Sequence, residues 1–204
     1  MSTKSRLVIA TRNEGKAAEI RTLFGDTPFE LLSLSIFKEA GEAPETEDSY
    51  EGNATSKARY YAASTGEFVL ADDSGLEVVA LNGAPGVLSA RYAGPTASDS
   101  ERRLKLLDEI ARAQAADRSA RFVCALALAS KTAEIIKVTH GICAGSICLE
   151  PRGNSGFGYD PIFIPKDHEQ TFGELAEPVK NRISHRAKAI VLMRRFLLAE
   201  DWSA

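Results

Sequence analysis

The sequence predicts an α/β fold built on a mixed β-sheet, and three observations carry that expectation. Arg6-Leu-Val-Ile-Ala-Thr11 is a short β-branched apolar run; a polar stretch follows, then Ala17, Ile20, Leu23 and Phe24 at helical spacing. That order reads as strand, loop and helix. Arg121 to Ser130 and Glu134 to Cys148 are two long strand-like runs joined at Lys131-Thr132, a hairpin that brings an antiparallel element into the sheet. The C-terminal segment is apolar over much of its surface (Ile190, Val191, Leu192, Met193, Phe196, Leu197, Leu198), as a helix packed inside a domain or at a subunit contact would be. The pattern is not the strict strand–helix alternation of a purely parallel doubly wound sheet.

The chain has 204 residues, enough for a substantial core, and we read residues 1–204 as one domain. Apolar residues make up 44% and charged residues 26%, as in ordinary globular chains. A net charge of −3 argues against a broad basic surface for polymeric nucleic acid. A small anionic ligand would need a local cluster of Lys and Arg. Met1 to Arg6 is short and polar, and neither a membrane-spanning run nor a signal peptide is visible, so no membrane partner is expected. Cys124, Cys143 and Cys148 have no CxxC spacing and no partnering His, which excludes a zinc-finger pattern. Free core thiols in a reducing cytoplasm are the expectation.

In chain order, the polar stretch Thr11-Arg-Asn-Glu-Gly-Lys16 opens the first helix, with Thr11 or Asn13 as its cap. Free amides at a helix start beside a Lys suit an anion, and they suit a plain strand–helix loop equally. The glycine spacing of a Walker A loop is absent. Glu30 to Ser35 reads as a strand and Glu39 to Asp48 as an acidic irregular loop. Asp48 and Glu51 resemble a capping box for a helix burying Ala54, Ala58, Tyr61 and Ala62. Asn53 and Lys57, four apart, share another stripe, which either extends a polar site or is solvated.

Phe68 to Ala71 is a buried-strand run that meets Asp72 and Asp73, and Ser74-Gly75 is expected to turn the chain before a second run, Leu76 to Leu81. Acids at a strand end lie where open α/β sheets bind ligands. If both are extended, they point to opposite faces and have unequal roles. Asn82 to Gly86 is a dense turn signal. Arg91 suits either an anion or a nearby acid. Ser98 to Gln114 is an amphipathic helix with Leu104, Leu107, Ile110 and Ala111 as its buried face, and Ala111 to Ala116 is its Ala-rich end. Glu134 to Cys148 contains a Gly141 break. Gly153 to Pro161 is a Gly-rich loop able to approach a ligand closely or to form a wide surface turn, leading into the strand Ile162 to Ile164. Thr171 to Ala176 and Pro178 to Arg182 read as short helical pieces.

Six segments in this order resemble the Ham1/inosine triphosphate pyrophosphatase family: Thr11 to Lys16, Glu51 to Ala58, Ala71 to Leu76, Pro85 to Tyr92, Gly156 to Pro161 and Ile183 to Arg186. The resemblance is strongest to bacterial members acting on dITP and XTP. It implies an elongated mixed β-sheet flanked by helices, two lobes with a central cleft, and a homodimer. It also implies hydrolysis of ITP, dITP and XTP to monophosphate and pyrophosphate with Mg²⁺. Carried over by residue, Asp73 would be the catalytic base and a metal ligand, with Asp72 its metal-side or structural neighbour. Glu45 matches a metal-associated acid of the family, although Pro44 precedes it where some relatives carry a second acid. Thr11, Arg12, Asn13, Glu14, Gly15 and Lys16 would cradle the triphosphate, with Lys57 adding positive charge. Ser74 would touch the substrate. Phe157, Gly158, Tyr159, Asp160, Lys180, His185 and Arg186 would hold the nucleoside and phosphate ends.

This chemistry suits the residue types. Mg²⁺ is hard and takes one or two carboxylates plus phosphate oxygens. Phosphoryl transfer is mostly positioning and charge stabilisation. Selection for a 6-keto purine needs donors, for which the amides of residues 156–160 and the His185-Arg186 pair are the candidates. The alternatives are a Maf-like nucleotide pyrophosphatase of other specificity and a non-catalytic nucleotide-binding protein.

Overall fold

The computed structural model describes residues 4–114, 116–200 and 202. Parts of two expected segments, Met1 to Thr3 and Ala115, lie outside these. Strand β1 (Ser5–Ala10) is followed by helix α1 (Glu14–Phe24), strand β2 (Phe29–Ser33) and helix α2 (Tyr50–Thr65). Strand β3 (Phe68–Val78), helix α3 (Asp99–Arg112), strand β4 (Ser119–Ala129) and strand β5 (Ile135–Ile147) come next. Strand β6 (Phe163–Pro165) and helices α4 (Glu177–Ile183) and α5 (His185–Ala199) complete the chain. The sheet order is β2-β1-β3-β4-β5-β6. β1 runs parallel to β2 and β3, and β5 is antiparallel to β6, so the sheet is mixed, as the hairpin implied.

Two compact units share the chain. The first takes in the described residues up to Asp73, Cys124–Gly141, and those from Arg186 onward. The second comprises Ser74–Val123 and Ile142–His185. Strands β3, β4 and β5 each contribute to both.

Strand alternation builds the first unit as three layers. Leu7, Ile9, Leu70 and Leu126 pack with Ile20 and Phe24 of α1 and with Ile190, Met193 and Leu197 of α5. Val8, Ala10, Val69 and Ala71 point the other way, onto Ala54, Ala58, Tyr61 and Ala62 of α2. The small residues on that face let α2 lie close to the sheet. In the second unit, Leu76, Val78, Phe122, Ile147 and Phe163 form a core with Leu106 and Ile110 of α3 and with Phe172.

Several expected boundaries move. Ser74-Gly75 does not turn, because β3 continues through to Val78, and the Leu76 amide donates to Ser89 Oγ (2.9 Å). β5 likewise passes through Gly141 without a break. The cap of α2 is Ser49, whose side chain accepts from Gly52 N; Asp48 sits one residue too early. The α3 cap is Ser98 in a full capping box with Glu101. Its buried face is Leu106 and Ile110, whereas Leu104 is 60% exposed and Ala111 also faces solvent. Of the expected stripe, Ile110 is in the second core and Leu107 packs partly buried against it, while Leu106 replaces Leu104. Residues 160–162 form a 3-10 turn, so β6 begins at Phe163. Residues 171–176 are turns, and helix resumes only at Glu177. All three cysteines are free thiols, and Cys124 and Cys143 are buried. Among the described residues no helix is long and apolar enough to cross a membrane.

Candidate active site

Alternation along β3 decides the fate of the acid doublet. Leu70 faces α1 and α5, so Asp72 does too; Ala71 faces α2, so Asp73 does too. Asp72 has no side-chain exposure. Its Oδ1 accepts from Lys16 Nζ, and its Oδ2 accepts from Arg186 Nε (3.1 Å) and from the Cys124 thiol (3.2 Å). Arg186 is also paired with Glu19 of α1. The quartet Glu19, Arg186, Asp72 and Lys16 thus sets two carboxylates against two cations. Burial alone would raise the Asp72 carboxyl, but Arg186 and Lys16 outweigh it and hold it well below the usual carboxylate range.

On the opposite face, Asp73 Oδ1 accepts from Lys57 Nζ at 2.8 Å, and Oδ2 accepts from Asn53 Nδ2 at 3.3 Å. Asn53 and Lys57 are one α2 turn apart and both buried, so their stripe faces the acid rather than solvent. Asn53 is further fixed by the acidic loop, accepting from Glu47 N and donating to Glu47 O. Lys57 Nζ donates to Glu45 Oε1 at 2.9 Å as well. Burial pushes the Asp73 carboxyl above its ordinary value despite the nearby charges of Lys57 and Lys16. For Lys57, burial favours the neutral amine, yet Asp73 and Glu45 overcome it and raise the ammonium's pKa.

The doublet therefore divides the labour. Both Asp72 oxygens are occupied by cationic or thiol donors, and the side chain is sealed from solvent. A metal-ligating role for Asp72 does not fit this environment; the geometry makes it the buried counter-ion of Lys16 and Arg186. Arg186, expected at the ligand's end, is spent in the same quartet with only 2% of its side chain exposed. In the Glu45–Lys57–Asp73 trio, by contrast, two carboxylates face one ammonium, and Glu45 retains 33% side-chain exposure. That donor set suits a hard divalent cation. Among the described residues no group of three or more His, Cys, Asp or Glu is arranged to hold a metal, so phosphate oxygens and water would have to complete any shell.

Upstream, Asn13 caps α1 by accepting from Lys16 N, and Thr11 Oγ1 accepts from Asn13 N. Arg12 donates to the carbonyls of Ala40 and Gly41, tying this loop to the acidic segment. Arg12, Asn13 and Glu14 are exposed, while Thr11, Gly15 and Lys16 are half-buried. The loop thus presents a helix N-terminus together with the Lys16 ammonium.

The remaining expected residues lie in the second unit. Ser74 follows Asp73 in β3 and is half-buried. Asp160 is buried; its Oδ2 accepts from Lys180 Nζ (2.6 Å) and from Phe157 N (2.8 Å). The Lys180 ammonium sits over the Phe157 ring at 5.0 Å. Tyr159 is buried and donates to the Ser89 carbonyl (2.9 Å). His185 stacks on Phe122 with ring centroids 4.7 Å apart. Gly156 has φ +74°, and a Cβ there would run into the Asp160 carboxylate, so the position requires glycine. The loop's amides behave differently from the expectation. Phe157 N donates to Asp160, Gly158 N to Asp99 Oδ2 (2.7 Å), and Asp160 N to the Phe157 carbonyl. These three amides fold the loop and are not the donors for a purine keto group.

Sequence reading overlooked Glu19, Cys124, Asp99 and Arg103. Glu19 falls one turn after Lys16 on α1, a spacing that signals a shared face. No local signal marks Cys124 as an Asp72 partner.

A sequence model of the Ham1 family matches residues 7–196. A dITP/XTP pyrophosphatase of Bacillus licheniformis is 46% identical over 184 residues, covering 90% of this chain and 93% of that protein. One from Chlamydia pneumoniae is 47% identical over 189 residues, covering 91% and 90%. Among solved structures, a HAM1 protein from Coxiella burnetii matches with a TM-score of 0.88 at 41% identity, over 96% of this chain and 100% of that one. The Staphylococcus aureus Ham1 protein matches with a TM-score of 0.84 at 39% identity, over 96% and 100%. The α/β architecture, the order of the acid and lysine segments and this similarity along nearly the whole length agree: the chain belongs to the Ham1 family.

Proposed function

We propose that the protein hydrolyses non-standard purine nucleoside triphosphates (ITP, dITP and XTP) to the monophosphate and pyrophosphate, and so removes miscoding precursors from the nucleotide pool. The observation that carries this reading is the Asp73 carboxyl, raised by burial and held by Lys57 and Asn53. The names of relatives 46% and 47% identical supply the substrate class.

A raised carboxyl is a better proton acceptor near neutral pH than an ordinary aspartate. In the proposed reaction Asp73 takes the proton of the attacking water. Lys57 and Asn53 fix the orientation of its two oxygens. Lys16, at the start of α1, binds phosphate oxygens together with the helix amides. Asp72 holds the Lys16 ammonium and is itself held by Arg186, which pairs in turn with Glu19. Glu45 and Asp73 are the residues that would hold Mg²⁺. When bound, Mg²⁺ supplies neutralisation of the triphosphate charge. Phe157, with Lys180 above its ring, offers a flat face for the purine, and His185 is the proposed donor to its 6-keto oxygen. An amino group at that position would leave the donor unpaired, a penalty of about 1–3 kcal/mol. The reading also places the enzyme in the cytoplasm as a homodimer.

The test is incubation with ITP, XTP, dGTP or dTTP and Mg²⁺, followed by product identification and light scattering for the oligomer. Pyrophosphate from ITP and XTP supports the proposal. Orthophosphate alone, preference for dTTP, or binding without turnover contradicts it.

A further inference from the structure

Helix α3 grips the Gly-rich loop at Gly158. Asp99 Oδ2 accepts from Gly158 N at 2.7 Å, and Arg103 Nη1 donates to the Gly158 carbonyl at 2.7 Å. Asp99 and Arg103 are four residues apart, so they project from the same face on adjacent turns. Both polar groups of one residue are therefore held by one helix. Gly158 has φ +59°, the left-handed conformation that joins Phe157 to Tyr159.

The clamp is itself anchored. Ser98 and Glu101 form a capping box at the start of α3. Arg102 pairs with Asp99 and donates to the Ala90 carbonyl (2.9 Å). Beside the clamp is a cavity of about 390 Å³, lined by Asp99, Arg103, Asn154, Ser155, Gly156 and Phe157. At Gly158 itself, two hydrogen bonds with α3 fix the loop beside this cavity. On its other side the loop is tied through Asp160 to Lys180 and through Tyr159 to Ser89. Phe157 directly precedes the clamped Gly158, and its own amide donates to Asp160 Oδ2 (2.8 Å).

We propose that Asp99 and Arg103 are positioning residues for substrate recognition: by holding Gly158 they set the pose of Phe157, and with it KM and purine selection. This rests on the proposed function, in which Phe157 receives the base. In the proposed function the phosphates are held by Lys16 and the α1 amides, not by Asp99 or Arg103, so the effect belongs on substrate binding rather than on the chemical step.

The experiment measures kcat and KM for ITP, XTP and GTP in the wild type, Asp99→Ala, Asp99→Asn and Arg103→Ala, with hydrogen exchange at the Gly158 amide. Asp99→Ala and Arg103→Ala are expected to raise KM for ITP about 5- to 30-fold, the equivalent of one or two lost interactions. They should leave kcat near wild type, lower the preference for ITP over GTP, and speed Gly158 exchange. Asp99→Asn keeps an acceptor and should restore wild-type KM and exchange. The inference is overturned if KM and selectivity are unchanged in both alanine variants, if Asp99→Asn is as impaired as Asp99→Ala, or if Gly158 exchanges without protection in the wild type. A wild type inactive on ITP and XTP would instead remove the proposed function, and protection at Gly158 would still report on the clamp.

Discussion

Asp72 and Asp73 are consecutive residues of one strand whose carboxylates serve opposite faces of the sheet. Asp72 is sealed against Lys16, Arg186 and Cys124. Asp73 meets Lys57 and Asn53 beneath the half-exposed Glu45. Their carboxyls shift in opposite directions, down for Asp72 and up for Asp73. One position along a strand separates a structural counter-ion from the proposed base.

Asp72→Asn should be primarily a stability variant. Removing one member of a buried ionic group leaves the others uncompensated, at about 3–5 kcal/mol. Because the folded carboxyl is depressed, its contribution is present above the ordinary value of 3.8 and lost as pH falls through the folded value. Urea titrations should show the wild-type midpoint dropping below pH 4 or so, with a weaker dependence in Asp72→Asn. Equal midpoints at neutral pH would contradict the counter-ion role.

Lys57→Gln removes the ammonium that restrains the Asp73 carboxyl, so its pKa should rise further. Activity that needs ionised Asp73 is lost as pH falls through that value, so the acidic limb of the kcat profile should move to higher pH. A contacting opposite charge accounts for about 1–3 pH units. An unmoved limb, whatever the loss in rate, would separate Lys57 from the titration of Asp73.

Chelation should abolish turnover and added Mg²⁺ should restore it. In Glu45→Gln the Mg²⁺ concentration for half-maximal rate should rise at least about 10-fold, the scale of a lost outer or inner ligand contact. Full activity in excess EDTA would exclude the metal from the account.

Gly156→Ala combines a left-handed backbone, which disfavours a Cβ by about 1–2 kcal/mol, with a collision against the Asp160 carboxylate. Steady-state kinetics should show KM for ITP rising by about 10-fold or more, with the Asp160–Lys180 pair displaced. Unaltered KM would mean that the loop does not contact the base.

Much of this was legible in the sequence where a period or a motif controls the outcome. Period-2 alternation foretold that the two acids would part, and the Asn53–Lys57 spacing foretold one helix face. Other features are decided by contacts distant along the chain. Ser74-Gly75 resembles a turn, yet Ser89 supplies an acceptor for the Leu76 amide and the strand runs on. The buried stripe of α3 depends on the angle at which the second core meets it, which hydrophobic spacing alone does not fix. Arg186 carries a binding-residue signature, but its surroundings pair it with Asp72 and Glu19. The loop amides looked available until Asp99 and Asp160 claimed them.

The most direct measurement is the ITP turnover of Asp73→Asn, with circular dichroism and a thermal melt to verify the fold. Loss of the general base should lower kcat by about 10²- to 10⁴-fold while the folded state persists. Turnover at the wild-type rate in the folded variant would contradict the central claim that Asp73 is the base.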